Sequence, residues 1–135
     1  CGWHDLGGKS IDLEVHGEPV LLAGNELPWI GQVPDCSAAK SDFSICAVHT
    51  PDQWPWGRRQ GFDLILAGHA HGGQIRLPLL GPIICPSLHG VRYASGVFET
   101  DDTLLHVSRG ISGLQPLRWR CRPGLTQLVL TRRKF

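Results

Sequence analysis

Two short apolar segments with a helix-start signal between them constrain the fold of this chain more than any other feature. The runs 43–48 and 62–67 are almost continuously apolar, which is typical of strands covered on both faces. Between them, Thr50 and Pro51 offer an N-cap residue followed by proline at the first helical position, so a short helix is predicted through about Arg59. Strand, helix and strand within about 25 residues predict a parallel βαβ crossover, which is nearly always right-handed.

Shorter strands and turns are predicted on either side of this crossover. The alternating segment 11–15 and the apolar segment 20–23 are separated by the turn-forming residues 16–19, so they predict a hairpin. Further strands are predicted at 74–80, 91–99, 103–108, 117–122 and 125–132. The predicted fold class is therefore α/β, with one βαβ crossover and largely antiparallel strands in the C-terminal part.

Length and charge exclude several classes of protein. The 135 residues have room for one domain. Thirteen Lys and Arg against 12 Asp and Glu give a net charge of +1, so no strong field attracts polyanions, and we expect no stable nucleic-acid partner. The apolar runs, about half a dozen residues long, are too short to span a bilayer. Because the chain begins with Cys1 and contains no Met, we expect it to be a piece of a longer polypeptide.

Three histidines occupy the ends of the two buried strands. His49 follows the first strand, and His69 and His71 follow the second. In a right-handed βαβ unit both strand ends lie at the edge where open α/β sheets bind ligands, so His49 and His69 are expected to approach each other. In an extended 69–71 segment, the two imidazoles would start from Cα atoms roughly 6.5–7 Å apart, which suits two metal ions better than one. The alternative is that all three are ordinary surface-loop histidines.

The segment around these histidines also carries a family resemblance. Residues 68–74 have the sequence G-H-A-H-G-G-Q, and on this motif the chain resembles the calcineurin-like metallophosphoesterases, in the branch whose last motif is G-H-x-H-G-G-Q. Segment 47–52 is similar to the preceding family motif, a strand that ends in a ligand histidine. Segments 92–96 and 106–110 resemble the tail of that branch.

The resemblance implies a fold, a cofactor and a reaction. The fold is a four-layer αββα sandwich, of which residues 1–135 would be the C-terminal portion of a single domain. The cofactor is a pair of divalent metal ions, with Mn, Fe, Zn, Co and Mg all open, held by His49 and His69 on one ion and His71 on the other. A bridging hydroxide would attack phosphorus in a phosphoester or pyrophosphate substrate. Arg109 would contact the phosphate.

Several family motifs are missing from this sequence. It contains no D-x-H, no G-D-x-x-D and no G-N-H-[DE], so the bridging carboxylate has no counterpart here. Two look-alikes, at 2–5 and 24–26, have Trp3 and Glu26 where the family has Asn and His, and both are predicted to be turn residues. We therefore expect the isolated chain to be inactive or nearly so. We also expect it to expose the sheet face that a second sheet would cover.

A different class of function remains open. The chain could be a degenerate, non-catalytic α/β module that binds one metal ion, or none, and acts through contacts. A cytoplasmic and a membrane-associated protein are both consistent with the sequence, and membrane contact would come through a segment preceding Cys1. Substrate and oligomeric state are undetermined at this stage. Trp29, Trp54, Trp56 and Trp119 are predicted to be core or interface aromatics.

Overall fold

The structure is a computed structural model that describes residues 2–36, 41–100, 102–111 and 117–131. It contains eight short strands, one short α-helix and two 3-10 turns within these ranges. The strands are β1 Ser10–Val15, β2 Glu18–Asn25, β3 Phe43–Val48, β4 Leu64–Ala67, β5 Arg76–Leu77, β6 Gly81–Pro82, β7 Gly96–Thr100 and β8 Thr103–Val107. The helices are α1 Trp54–Arg59 and the 3-10 turns Pro51–Gln53 and His71–Gly73.

Six of the strands form one mixed sheet in the order β1-β2-β3-β4-β8-β7, and β5 and β6 form a separate hairpin. The three central pairings, β2 with β3, β3 with β4 and β4 with β8, are parallel, whereas both outer pairings are antiparallel. The predicted α/β class and the predicted β1–β2 hairpin are therefore confirmed. The register places Val48 beside Ala67, so β3 and β4 end at the same level.

The predicted crossover is also confirmed, and local chemistry explains where its helix begins. Thr50 is extended and almost fully buried, and its hydroxyl accepts a hydrogen bond from the backbone N–H of Asp52 at 3.3 Å. Pro51 follows at the first helical position, where its missing N–H costs nothing. Gly57 lets α1 lie close to the sheet, because a Cβ there would collide with the Ile65 side chain.

The amino ends of β3 and β4 are fastened together by a reciprocal side-chain lock. The Asp63 carboxylate accepts hydrogen bonds from the Ser44 backbone N–H at 2.7 Å and from the Ser44 hydroxyl at 2.6 Å. In return, the Asp63 N–H donates to the Ser44 hydroxyl oxygen at 3.1 Å. Hydrogen bonds to a charged acceptor are stronger than neutral ones, so this lock holds the two strands in register.

The two faces of the six-stranded sheet differ in how well they are covered. One face is packed under α1 and the segment before β7, and its core residues include Ala23, Cys46, Ile65 and Leu105, none of which is exposed. On the opposite face the apolar side chains Val20 and Leu22 of β2 and Phe43 and Ile45 of β3 are half-buried, and Leu104 of β8 is 40% exposed. The covered face is the hydrophobic core of the described part of the chain.

Several predicted strands are shorter than expected or absent. In the predicted strand 74–80, only Arg76–Leu77 is a strand. Gln74 and Leu79 have φ angles of 47° and 66°, and positive φ angles are incompatible with an extended strand. Of 91–99 only the part from Gly96 is extended, since 91–95 form turns.

The two C-terminal strand predictions are wrong. Segment 117–122 makes a single bridge, Trp119 to Ile75, and Arg120 interrupts it with a φ of 54°. No strand forms at 121–131 either, and residue 132 of the prediction lies outside the described residues. Alternation of apolar and polar residues predicts a strand only where a neighbour offers an edge to pair with. In the ranges that the structure describes, no helix is long and apolar enough to cross a membrane.

Candidate metal centre

The carboxyl ends of β3 and β4 bring two of the predicted histidines into contact. His49 directly follows Val48, and His69 follows Ala67 after one glycine. His49 Nε2 and His69 Nδ1 are 3.1 Å apart, and the two ring centroids are separated by 4.8 Å. His49 and His69 are twenty residues apart in the sequence, yet their imidazoles are neighbours because the two parallel strands end at the same edge of the sheet.

The spacing of this pair fits one metal ion. Two imidazole nitrogens bound to the same ion at about 2.1 Å each lie roughly 3.0–3.4 Å apart for octahedral to tetrahedral angles. The observed 3.1 Å falls in that range. Among the residues that the structure describes, no group of three or more His, Cys, Asp or Glu side chains is arranged to hold a metal ion. A metal ion at this pair would therefore need further ligands besides the two imidazoles.

The environment of His69 favours the neutral form of its imidazole. Burial lowers the pKa of the His69 imidazole below its ordinary value, and the neighbouring His49 and His71 lower it further. The Asp52 carboxylate opposes this shift. Asp52 is itself occupied, because its Oδ1 accepts hydrogen bonds from the Ser87 hydroxyl at 2.6 Å and the Leu88 N–H at 3.0 Å. A neutral imidazole at neutral pH is ready to coordinate without first losing a proton.

The backbone at His71 differs from the expected geometry. The extended 69–71 segment is a wrong prediction: His69 and His71 have positive φ angles of 62° and 48°, and a 3-10 turn occupies His71–Gly73. Residues other than glycine that have positive φ angles carry backbone strain of the order of 1 kcal/mol each. The His71 ring lies toward Gly110, with Nδ1 4.0 Å from where a Cβ of Gly110 would be. The structure thus joins His49 and His69 directly and places His71 on the side facing the loop after β8.

A segment at 117–121, called here the strap, holds His71 in this conformation. The Arg118 guanidinium donates to the carbonyl oxygens of His71 at 3.4 Å and Arg109 at 2.9 Å. The buried Cys121 places its Sγ 3.4 Å from the His71 carbonyl oxygen. At the other end, the Trp119 N–H donates to the Gln74 carbonyl at 2.9 Å. The sequence predicts an ordinary strand at 117–122 and gives no signal for this role.

Arg109 lies beside the same turn. A Cβ added to Gly72 would lie 3.1 Å from Cγ of Arg109, so the absence of a side chain at Gly72 makes room for the arginine. The guanidinium Nε donates to the Ser95 hydroxyl at 3.4 Å, and the residue as a whole is exposed. An exposed cation next to the histidine loop is suited to an anionic ligand.

Two curated proteins match most of this chain. Phosphodiesterase YaeI of Escherichia coli K12 is 34% identical over 110 residues, which are 81% of this chain and 40% of that protein. An uncharacterised metallophosphoesterase of Bacillus subtilis 168, YkuE, is 42% identical over 89 residues, which are 65% of this chain and 31% of that protein. This chain belongs to the calcineurin-like metallophosphoesterase family. It spans less than half the length of either relative. No protein-family model and no solved structure matches it.

The two look-alike motifs lie near the histidine pair. Residues 4–7, 24–26 and 47–49 line a cleft of about 350 Å³ that has His49 on its wall. Asp5 in this cleft pairs with Lys9 at 2.6 Å, and both the lysine and a hydrogen bond from the Gly7 N–H lower the pKa of its carboxyl. Asn25, fully buried, accepts at Oδ1 from the Leu27 N–H at 3.0 Å. These residues act as turn formers in the structure.

Trp29 was missed as a residue of the site. The prediction for it is a core or interface aromatic; at 61% exposure it is not part of the core, whereas Trp54 at 3% exposure is. The indole of Trp29 lies 5.8 Å from the ring centroid of His49 and 5.6 Å from that of His69. Periodicity could not find it, because the residue lies on an irregular loop.

Proposed function

We propose that this chain contributes metal ligands to a phosphoesterase centre that hydrolyses phosphoester or pyrophosphate bonds. His49 and His69 would hold one divalent ion, and His71 would hold a second. The observation that carries the proposal is the 3.1 Å separation of the His49 and His69 nitrogens at a parallel strand edge, in a member of a metallophosphoesterase family. Divalent ions in such a pair activate water as a nucleophile and neutralise charge on phosphoryl oxygens.

Each residue of the chain has a separate task in this proposal. His49 Nε2 and His69 Nδ1, 3.1 Å apart, would present their lone pairs to one ion. His71 is held by the strap at a fixed backbone conformation, which would keep a second ligand at a constant distance from the first pair. Arg109 would contact the phosphate with its guanidinium, since it is the exposed cation beside the histidine loop.

We further propose that these 135 residues are the C-terminal portion of a single domain and turn over slowly on their own. The sequence lacks the family motif that would supply a bridging carboxylate, and two cations bound close together repel without one. The coverage of the relatives, 40% and 31% of their lengths, agrees with this view.

A non-catalytic metal-binding or interaction module is the second candidate. It is favoured by one observation: within the described ranges no third metal-binding side chain joins the His49–His69 pair. Such a module would bind at most one ion and would not gain hydrolytic activity in the context of a longer domain.

A chimera distinguishes the two candidates. This chain would replace its matched counterpart in the Bacillus subtilis relative, and hydrolysis of bis(p-nitrophenyl) phosphate with Mn²⁺ would be measured beside the isolated chain. We expect metal-dependent turnover from the chimera, a loss of at least about 100-fold in its His49→Ala and His69→Ala variants, and no change in the control His16→Ala, whose residue lies in the β1–β2 turn. A folded chimera without turnover would favour the interaction module. Rapid turnover by the isolated chain would contradict the need for further residues.

A further inference from the structure

An exposed indole lies against both imidazoles of the candidate metal centre. Trp29 makes an edge contact with His49, with an interplanar angle of 68°, and a tilted contact with His69 at 51°. The same side chain is 61% exposed, so one side of the indole rests on the pair and much of the remainder faces solvent. Apolar aromatic surface of this size is usually covered, which makes its position at the site informative.

The loop that carries Trp29 is fixed to the strand edge. The buried Asn25 accepts from the Leu27 N–H, and the Trp29 N–H donates to the Glu26 carbonyl at 3.1 Å. The Asn25 carbonyl also accepts from the His49 N–H at 3.3 Å, which ties this loop to the end of β3. The backbone that carries the indole is therefore fixed by hydrogen bonds, and Asn25 links it to the backbone of His49.

We propose that Trp29 is a specificity residue whose indole stacks on a planar organic group esterified to the phosphate. This inference rests on the proposed function, because it needs a phosphate bound at the His49–His69 pair. An indole has no positive charge with which to bind a phosphate, but its flat face stacks on other rings. Any nucleobase can stack on it, because every base has a π-face. The substrate class is therefore a phosphoester that carries an aryl or nucleobase ring near phosphorus.

Binding measurements on the full 135-residue chain test this inference without relying on turnover. Calorimetric titrations with Mn²⁺ come first, followed by phenyl phosphate, cyclohexyl phosphate and inorganic phosphate at saturating Mn²⁺. Phenyl and cyclohexyl phosphate carry the same charge and similar bulk, and differ in whether the ring is planar. We expect Trp29→Ala to weaken phenyl phosphate binding by about tenfold and inorganic phosphate binding by less than about twofold. Trp29→Phe should retain most of the affinity.

The control variant is Trp3→Ala, which removes an indole that is 93% exposed and should change none of these affinities. An added titration with AMP distinguishes a nucleobase from a simple aryl ring, and stronger binding of either one than of cyclohexyl phosphate supports the inference. Equal affinity for phenyl and cyclohexyl phosphate would overturn it, as would equal weakening of phenyl and inorganic phosphate in Trp29→Ala. If the isolated chain binds no Mn²⁺, the same titrations are made on the chimera with the Bacillus subtilis relative; absence of Mn²⁺ binding there would overturn the proposed function as well, so the two failures are distinguishable.

Discussion

The two ends of the strands β3 and β4 carry different kinds of contact. At the amino ends, Ser44 and Asp63 are joined by three hydrogen bonds of 2.6 to 3.1 Å. At the carboxyl ends, His49 and His69 share one nitrogen–nitrogen contact, and His69 has a positive φ. The same two strands are therefore held in register at one end, and at the other they carry the candidate imidazole pair, in which the His69 backbone is strained. The stabilising hydrogen bonds and the candidate metal ligands are thus separated by about one strand length.

The largest effect expected from this comparison is on metal affinity. His69→Gly should lower Mn²⁺ affinity by about 100-fold, because it removes one of two adjoining ligands. Its free energy of unfolding should change by no more than about 0.5 kcal/mol, since glycine relieves the φ of 62° while adding chain entropy to the unfolded state. Calorimetry with Mn²⁺ and urea denaturation measure the two quantities. A large loss of stability would show that the histidine edge also supports the fold.

The histidine loop itself is expected to be intolerant of side-chain bulk. Gly72→Ala should lower the free energy of unfolding by about 2 kcal/mol, because a Cβ would come within 2.6 Å of Cys121 Sγ at a φ of 67°. Gly61→Ala is the matched control: its φ is 80° but nothing lies within 4 Å of the new Cβ, so about 1 kcal/mol of backbone strain is all it should cost. Equal losses in urea denaturation would mean that the strap does not confine the loop.

At the opposite end of the strands, the Ser44–Asp63 lock should matter for stability alone. Asp63→Ala should lower the free energy of unfolding by about 1.5 kcal/mol, because it removes the acceptor for two hydrogen bonds from Ser44. Mn²⁺ affinity should remain within about twofold of the unmodified chain. Asp12→Ala, an exposed aspartate on β1, serves as control with little change in either quantity. Reduced metal affinity in Asp63→Ala would show that the two ends are coupled.

The positions of His49 and His69 at the carboxyl ends of β3 and β4 could be predicted from the sequence, whereas the contacts around them could not. The positions of His49 and His69 follow from hydrophobic runs and strand-end topology, both of which depend on local pattern and a general rule of βαβ units. The strap could not be foreseen, because Arg118 and Cys121 act through contacts with carbonyl groups nearly fifty residues away. Trp29 was missed for a similar reason. Its contacts with the histidines depend on the turn in which Asn25 accepts a hydrogen bond from the Leu27 N–H, and in the sequence Asn25 indicates only the end of a strand.

The helix cap next to His49 gives a smaller effect on stability. Thr50→Ala should lower the free energy of unfolding by about 1 kcal/mol, because the Asp52 N–H loses its acceptor. Thr50→Ser keeps the hydroxyl and should recover most of the loss. Urea denaturation of both variants measures the difference. Because Thr50 directly follows His49, a drop in Mn²⁺ affinity only in Thr50→Ala would show that the cap also orients the imidazole.

Cys46 offers a probe midway between the two strand ends. It is fully buried in β3, and burial raises the pKa of its thiol to about 12, so little thiolate forms below that pH and no reagent reaches it in the folded state. Iodoacetamide at pH 8 should therefore modify the half-buried Cys36 and Cys85 first, although burial raises the pKa of both thiols. Mass spectrometry of the Cys46 peptide gives its labelling rate. Asp63→Ala should accelerate that labelling about tenfold, in proportion to the stability lost, and His69→Gly should leave it nearly unchanged. If His69→Gly accelerated it as much, the histidine pair would contribute to holding β3 in place, and the separation between the two ends would not exist.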